Sequence, residues 1–188
     1  MDIVSLVKKQ YGQIPPAIHY KDLCKILGKK TGQVFSLENQ VLDLAQKLAK
    51  ASPRKRFLIL IHDDLKETVH RMINTLYKGT YAPPHKHINP NTTEDFIAIR
   101  GAAKLIEFEE NGKIKNELAF GTGFKANFVE IKPGAIHTLV PLTDLFSCFE
   151  IKGQPSYNSK DDKLFFEWAP KENSDPAEIE KFLTKLNK

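Results

Sequence analysis

The sequence predicts a mainly β protein with helices in its N-terminal part, a barrel of short strands in its second half and a short C-terminal helix. Apolar residues recur at helical spacing between positions 37 and 48, whereas short strand-like runs separated by turns follow from Thr80 onward. Asn111-Gly112 and Pro133-Gly134 mark turns between these runs. Many closely spaced short strands are typical of a closed barrel or a sandwich.

Two helices are expected before the barrel strands. The first begins after Ser36, an N-cap residue, and ends before Pro53, which cannot continue a helix. The second is predicted at about 64–77, after the capping residues Asp63 and Asp64, because apolar residues recur there on one helical face. These apolar residues are Leu65, Val69, Met72 and Leu76. A strand over 56–61 separates the two helices.

The strands of the second half are expected at 80–87, 94–100, 103–109, 115–120, 128–132, 137–140, 145–152 and 163–168. Asp175-Pro176 then opens the C-terminal helix, because proline is favoured at the first helical position. The predicted organisation is a mostly helical segment at 1–55 that packs on the barrel, the barrel at 56–170 including the helix at 64–77, and the C-terminal helix at 171–188.

The composition narrows the classes of function. Lys and Arg total 28 and Asp and Glu total 23, a net charge of +5, and no nucleic-acid-binding motif accompanies the basic clusters. Binding of an anionic small molecule explains the excess of positive charge as well as a solvated surface does. No apolar run approaches the ~20 residues that span a bilayer, and the N-terminus lacks the charge order of a secretory signal. A cytoplasmic protein that binds neither membrane nor nucleic acid is expected, with Cys148 as a buried strand thiol.

Three histidines and one carboxylate form the candidate metal site. His85 and His87 are two positions apart, so both imidazoles point to the same face of a strand. Glu94 begins the next predicted strand, and His137 follows the Pro133-Gly134 turn. Each residue alone is more often a surface or packing feature. Together they suit one divalent transition metal ion, with zinc, iron, manganese and nickel all open.

The spacing of these residues also resembles a known family. Gly79, His85, His87, Glu94 and Gly101 resemble the first motif of the cupins, and Gly134 with His137 resembles the core of the second. Within the cupins the chain is similar to the WbuC-type metalloproteins. The shared stretches are 51–56, 79–87, 99–101 and 168–170. The chain departs from the motif in the longer loop at 88–93 and in Pro141, which stands where the second motif has asparagine.

The resemblance implies a cupin barrel, that is, a jelly roll or double-stranded β-helix, with a bound metal and a link to cell-surface polysaccharide of the O-antigen type. It implies no defined reaction. The longer loop makes Glu94 the least secure of the four ligands. Cupin-like barrels commonly pair through their outer strands, so a homodimer is expected.

Four further residues are candidates for contact with a substrate. Arg54 and Arg56 precede a strand and suit an anion clamp, with a charged strand entry as the alternative. Arg100 shares strand parity with Glu94, and packing against a structural carboxylate is its alternative. Tyr81 shares the parity of His85 and is the candidate catalytic acid or base, or else a core aromatic residue.

Two classes of function follow from this site. The first is a metal-dependent enzyme acting on a sugar or sugar nucleotide, by isomerisation, epimerisation or a related step. An iron-dependent dioxygenase is a variant of that class. The second is a non-catalytic saccharide-binding or regulatory module, because one fold can host both roles.

Overall fold

The computed structural model describes residues 2–32, 35–153 and 162–187. Four helices lie in these segments. They are α1 Ile3–Tyr11, α2 Tyr20–Ile26, α3 Asn39–Ala51 and α4 Pro176–Leu186. Asp2 caps α1 and Asp175 caps α4 through side-chain oxygens that accept backbone N–H groups. None of the helices in the described part of the chain combines the length and apolar character needed to cross a membrane.

Eleven strands lie in the same described segments. They are β1 Ala17–His19, β2 Arg56–Leu60, β3 Val69–Tyr77, β4 His85–His87, β5 Thr93–Arg100, β6 Ala102–Phe108, β7 Ile114–Gly121, β8 Phe128–Ile131, β9 Ile136–Pro141, β10 Leu145–Gly153 and β11 Lys163–Phe165. Within these residues they form a six-stranded sheet in the order β1-β2-β3-β10-β5-β8 and a five-stranded sheet in the order β11-β4-β9-β6-β7.

Strands β3 to β10 pair as a nested series. The innermost pair is the hairpin β6–β7, followed outward by β5–β8, β4–β9 and β3–β10, all antiparallel. Successive pairs alternate between the two sheets, so one long hairpin is wound into a double-sheet barrel. This is the strand order of a jelly roll. It confirms the predicted cupin-type barrel with an N-terminal helical segment and a short C-terminal helix.

Three apolar clusters hold the layers together. The first joins α1 and α3 to the outer face of the six-stranded sheet, where Phe57, Ile59 and Ile73 are fully buried. The second fills the barrel between the sheets and includes Phe120 and Phe146, whose rings meet edge to face. The third places α4 against the outer face of the five-stranded sheet.

The predicted helix at about 64–77 is wrong, because Val69–Tyr77 forms strand β3. This strand lies between β2 and β10 and is covered on both faces. Ile73 packs toward the N-terminal helices, and Leu76 belongs to the barrel interior. A strand buried on both faces loses the apolar–polar alternation, so its apolar residues can fall by chance at helical spacing.

Candidate metal centre

The histidines of the candidate site come from two neighbouring strands. His85 and His87 have buried side chains on the same face of β4. His137 lies on β9 and is the register partner of His85. The His85 and His137 ring centroids are 4.5 Å apart, so the strand pairing itself brings residues distant in sequence together.

Glu94 completes the cluster from the opposite sheet. Its Oε2 lies 3.0 Å from Nε2 of His137 and 3.3 Å from Nε2 of His87, and its side chain is 3% exposed. One ligand atom from each of the four residues lies within 4.8 Å of the others. The long loop at 88–92 therefore does not displace Glu94, and the four residues predicted from the sequence come together.

The hydrogen bonds of the imidazoles leave their other nitrogens directed to the centre. Each Nδ1 lies next to a backbone carbonyl oxygen, which requires a proton on Nδ1 and leaves the Nε2 lone pair available. The pairs are His85 with Pro83, His87 with Asp162 and His137 with Ala135, at 3.0, 3.3 and 3.0 Å. Among the described residues, the buried Nε2 of His85 has no hydrogen-bond partner. These features fit a divalent transition metal ion.

The ionisation of His85 and Glu94 favours metal binding. At His87 burial would lower the pKa, but the carboxylates of Asp162 and Glu94 raise it, so protons compete with a metal there. Burial lowers the pKa of His85 well below its usual value, with nearby Lys163 acting in the same direction, so the imidazole stays neutral. Burial alone would raise the pKa of Glu94. The Lys152 ammonium and the close imidazoles of His137 and His87 outweigh that effect and hold the pKa of Glu94 well below its ordinary value. A neutral imidazole and an ionised carboxylate are the forms that coordinate a metal.

Two charged residues, Lys152 and Asp162, contact the candidate ligands Glu94 and His87. The Nζ atom of Lys152 lies 2.9 Å from Oδ2 of Asp162 and 3.8 Å from Oε1 of Glu94. The same Oδ2 lies 3.5 Å from Nδ1 of His87. Asp162 therefore orients His87 through both its backbone and its carboxylate, and Lys152 fixes the free oxygen of Glu94.

A cavity of about 220 Å³ opens beside the cluster. His85, Glu94 and His137 lie in its wall together with Glu150, which is not one of the four candidate ligands. Asn74 donates a hydrogen bond of 2.7 Å to Oε2 of Glu150. Burial, reinforced by the charge of Glu94, raises the pKa of Glu150 to about 7. The cavity thus places a second carboxyl group, whose pKa is about 7, close to the candidate metal position.

The predicted anion-binding residues Arg54 and Arg56 also line this cavity. Arg56 is the more buried of the two, with 14% of its side chain exposed against 36% for Arg54. Both guanidinium groups donate to the carboxylate of Glu172. Both arginines therefore face the cavity beside the candidate metal ligands.

The structure does not bring Arg100 into the cavity. Its guanidinium donates to Asp43 and Asn39 of α3, on the outer face of the sheet. The pairing of β10 with β5 shifts between Ser147 and Cys148, which face Arg100 and Ala98, so one residue of β5 is bulged. A bulge reverses side-chain parity beyond it, and the prediction from the parity of Glu94 is wrong for that reason.

Tyr81 is likewise absent from the cavity wall. Its hydroxyl donates a 2.6 Å hydrogen bond to the carbonyl of Pro170, and its ring meets Phe182 of α4 edge to face. The parity argument assumed a continuous strand over 80–87, but β4 spans only His85–His87. Pro83 and Pro84 lack the N–H groups that a strand needs, so they break that strand and the parity it implied. Tyr81 is thus placed as a packing residue.

Sequence reasoning missed Glu150, Lys152, Asp162, Lys163 and Glu172. The first two carried a signal, because they continue the inward alternation of Phe146 and Cys148 along β10. Charged residues at buried strand positions are rare unless they are paired or functional. The other three lie in the short β11 region or in the loop before α4, where no periodicity predicts an orientation.

Comparison with known proteins gives one family and several solved structures. A family described as Domain of unknown function (DUF6016) matches residues 37–120, which run from α3 to β7. No curated protein matches the sequence. The matched family therefore adds no activity to what the residues themselves indicate.

The solved structures to which the chain is similar include cupin and double-stranded β-helix proteins. One is a Klebsiella pneumoniae protein with a double-stranded β-helix domain, at 16% identity and a TM-score of 0.49, covering 73% of this chain and 99% of that one. Another is an oxalate oxidase in complex with glycolate, at 17% identity and a TM-score of 0.46, covering 62% of this chain. The matched region spans 57% of the oxalate oxidase chain.

The Cnp3 cupin domain of Schizosaccharomyces pombe is similar at 7% identity and a TM-score of 0.41, covering 53% of this chain and 61% of that domain. At these identities and TM-scores the solved structures decide neither the fold nor the activity of this chain. The assignment of the cupin-type barrel rests on the nested strand pairing, and that of the candidate metal centre on His85, His87, Glu94 and His137.

Proposed function

We propose that this protein is a metal-dependent enzyme that isomerises or epimerises a small sugar-type substrate. The observation that carries the proposal is the shared cavity of the metal cluster and Glu150. Such reactions move a proton at a carbon next to a carbonyl, which requires a proton-transferring group that is not itself a ligand. Glu150 meets that requirement.

A divalent metal held by His85, His87, Glu94 and His137 would polarise a hydroxyl or carbonyl oxygen of the substrate. Glu150 would accept and return the proton, with Asn74 fixing the orientation of its carboxyl group. Leu58, Phe96 and Leu139 in the cavity wall would exclude bulk water from the reacting carbon. The protein groups thus divide into ligands, a proton carrier and an apolar wall.

The dimensions of the cavity favour a compact substrate. Its volume of about 220 Å³ is below the ~300 Å³ at which pockets begin to enclose drug-sized ligands. A monosaccharide derivative suits this space, whereas the nucleotide part of a sugar nucleotide would extend out of the cavity. The resemblance to WbuC-type cupins supports a substrate from cell-surface polysaccharide biosynthesis of the O-antigen type.

Hydrogen exchange tests the proposal directly. Metal-loaded protein is incubated in D₂O with a panel of monosaccharide phosphates and hexuronic acids, and deuterium uptake is followed by NMR and mass spectrometry. We expect uptake at the carbon next to the carbonyl of at least one substrate, and none with the metal-binding variant His137→Ala. Binding without exchange would instead indicate a saccharide-binding module. Oxygen consumption by the iron-loaded protein would indicate a dioxygenase.

A further inference from the structure

A carboxylate of the protein itself occupies the arginine pair in the cavity wall. Oε1 of Glu172 accepts hydrogen bonds of 2.6 Å from Nε of Arg54 and from Nη2 of Arg56. Oε2 accepts a further bond of 3.2 Å from Nη2 of Arg54. All three residues line the same cavity as the metal cluster. A carboxylate bound by the guanidinium fork of Arg54 and by one N–H of Arg56 shows how an oxyanion is recognised at this point.

The charges at this position are not balanced by Glu172 alone. Two guanidinium groups donate to one carboxylate here, while Lys163, Glu94 and Glu150 also line the cavity. Glu172 is the most exposed member, with 44% of its side chain accessible, against 14% for Arg56. The Arg54–Glu172 pair is exposed on both sides, at 36% and 44%, so solvent weakens it. A dianionic group would therefore neutralise the arginine pair more fully than Glu172 does.

Arg56 is held in place independently of the Glu172 carboxylate. Nη1 of Arg56 donates a 2.6 Å hydrogen bond to the carbonyl of Tyr81, independently of Glu172. Arg56 also belongs to β2, within the six-stranded sheet. Glu172 lies in the loop between β11 and α4, outside any helix or strand. Movement of Glu172 therefore requires no change in the sheet.

We propose that Glu172 occupies an anion subsite in the ligand-free protein, and that the substrate carries a phosphate or carboxylate group that replaces it on Arg54 and Arg56. The proposal rests on the proposed function only in assigning this anion to the molecule that reacts at the metal. The arginine pair and the metal would then hold the two ends of one compact substrate. Glu172 competes with the anionic end of that substrate for the arginines.

Calorimetric titration of inorganic phosphate and of acetate into metal-loaded and metal-free protein tests this subsite. Glu172→Gln removes the competing charge and should tighten binding of the preferred anion by about 5-fold or more. The reason is that the arginines are free of a carboxylate in a larger fraction of the molecules. Arg54→Gln and Arg56→Gln should each weaken binding by about 10-fold or more, the effect of losing a charge-assisted fork. Glu117→Gln is the matched control, because Glu117 is 39% exposed and pairs with Lys104 outside the cavity.

Three results would overturn the subsite. Glu172→Gln could bind both anions no more tightly than the original protein, or neither anion could bind at all. Anion binding could also survive in both arginine variants and vanish on chelation, which would place it on the metal. Tighter binding by Glu172→Gln without hydrogen exchange of any sugar would support the subsite and contradict the proposed reaction. Circular dichroism confirms that each arginine variant is folded, and the milder Arg56→Lys replaces Arg56→Gln where it is not.

Discussion

Oε2 of Glu94 lies 3.0 Å from Nε2 of His137, and this short distance joins the two sheets of the barrel at the candidate metal position. Glu94 belongs to the six-stranded sheet and His137 to the five-stranded sheet. Both side chains are 3% exposed. Any change in how the sheets close on each other would separate these two ligands, so metal binding and barrel closure are linked.

Asp162 is expected to tune the metal affinity without being a ligand. Asp162→Asn removes the charge beside Nδ1 of His87 and the ion pair with Lys152. Loss of such a partner typically lowers metal affinity by about 10- to 100-fold. Competitive chelation measures the change. Asp95→Asn is the control, because Asp95 adjoins Glu94 on β5 but has the opposite side-chain parity. An Asp162→Asn protein within twofold of the original affinity would contradict this role.

Replacing Glu150 is expected to impair catalysis while leaving metal binding unchanged. Glu150→Gln keeps the size and the hydrogen-bonding capacity of the side chain, so metal content should stay unchanged. It cannot carry a proton, so deuterium exchange should fall by about 100-fold or more, the usual contribution of a general acid or base. Elemental analysis and the D₂O assay on the same sample give both values. Unchanged exchange in this variant would remove Glu150 from the mechanism.

The buried His62 is expected to make stability depend on pH. Burial lowers its pKa from the ordinary 6.5, partly opposed by a hydrogen bond with the backbone of Arg71. A lowered folded-state pKa means that the unfolded chain binds the proton more tightly, so stability falls as the pH drops below about 6.5. The opposing hydrogen bond joins Nδ1 of His62 to the carbonyl oxygen of Arg71 at 3.1 Å.

Denaturant unfolding of the metal-free protein between pH 7.5 and pH 5 measures this effect, and metal-free samples avoid proton competition at the metal centre. The decline in stability should be smaller in His62→Gln than in the original protein. His19→Gln is the control, because its ring meets His62 edge to face at 5.8 Å. Equal slopes for the original protein and His62→Gln would contradict the prediction.

Gly101 is expected to be required by the turn between β5 and β6. Its φ of +72° disfavours other residues, and a Cβ atom there would overlap the carbonyl oxygen of Leu145. Gly101→Ala should lower the free energy of unfolding by about 3 kcal/mol, combining backbone strain with a steric clash. Gly134 has a φ of +78° with open space around it, so Gly134→Ala should lower the free energy of unfolding by only about 1 kcal/mol. Denaturant unfolding compares the two variants, and equal losses would contradict the clash.

The alternation of apolar and polar residues, together with the turn residues between strands, was enough to predict most of the barrel. Strands β5 to β10 begin and end within one or two residues of the positions predicted from alternation and turns. His85 and His87 were predictable too, because two histidines separated by one residue on a strand share a face, whereas Glu94 and His137 were predicted from the resemblance to the cupin motifs. Such local features follow from the sequence alone.

The errors came from features that depend on the rest of the fold. Burial of both faces made β3 resemble a helix, and a bulge in β5 turned Arg100 outward. Pro83 and Pro84 interrupted the strand that would have carried Tyr81 inward. The contact between Glu172 and the arginines joins residues 116 and 118 positions apart, and no local pattern encodes such a pairing.

Metal affinity across four single variants tests the central claim most directly. Competitive chelation is applied to His85→Ala, His87→Ala, His137→Ala and Glu94→Gln, each loaded with the metal that the purified protein retains. Each histidine variant should lose at least the ~10–100-fold that a lost supporting partner costs. Glu94→Gln should lose less, because its amide oxygen can still coordinate. Near-original affinity in His137→Ala would contradict the account, since β9 would then contribute no ligand and a different set of residues would have to hold the metal.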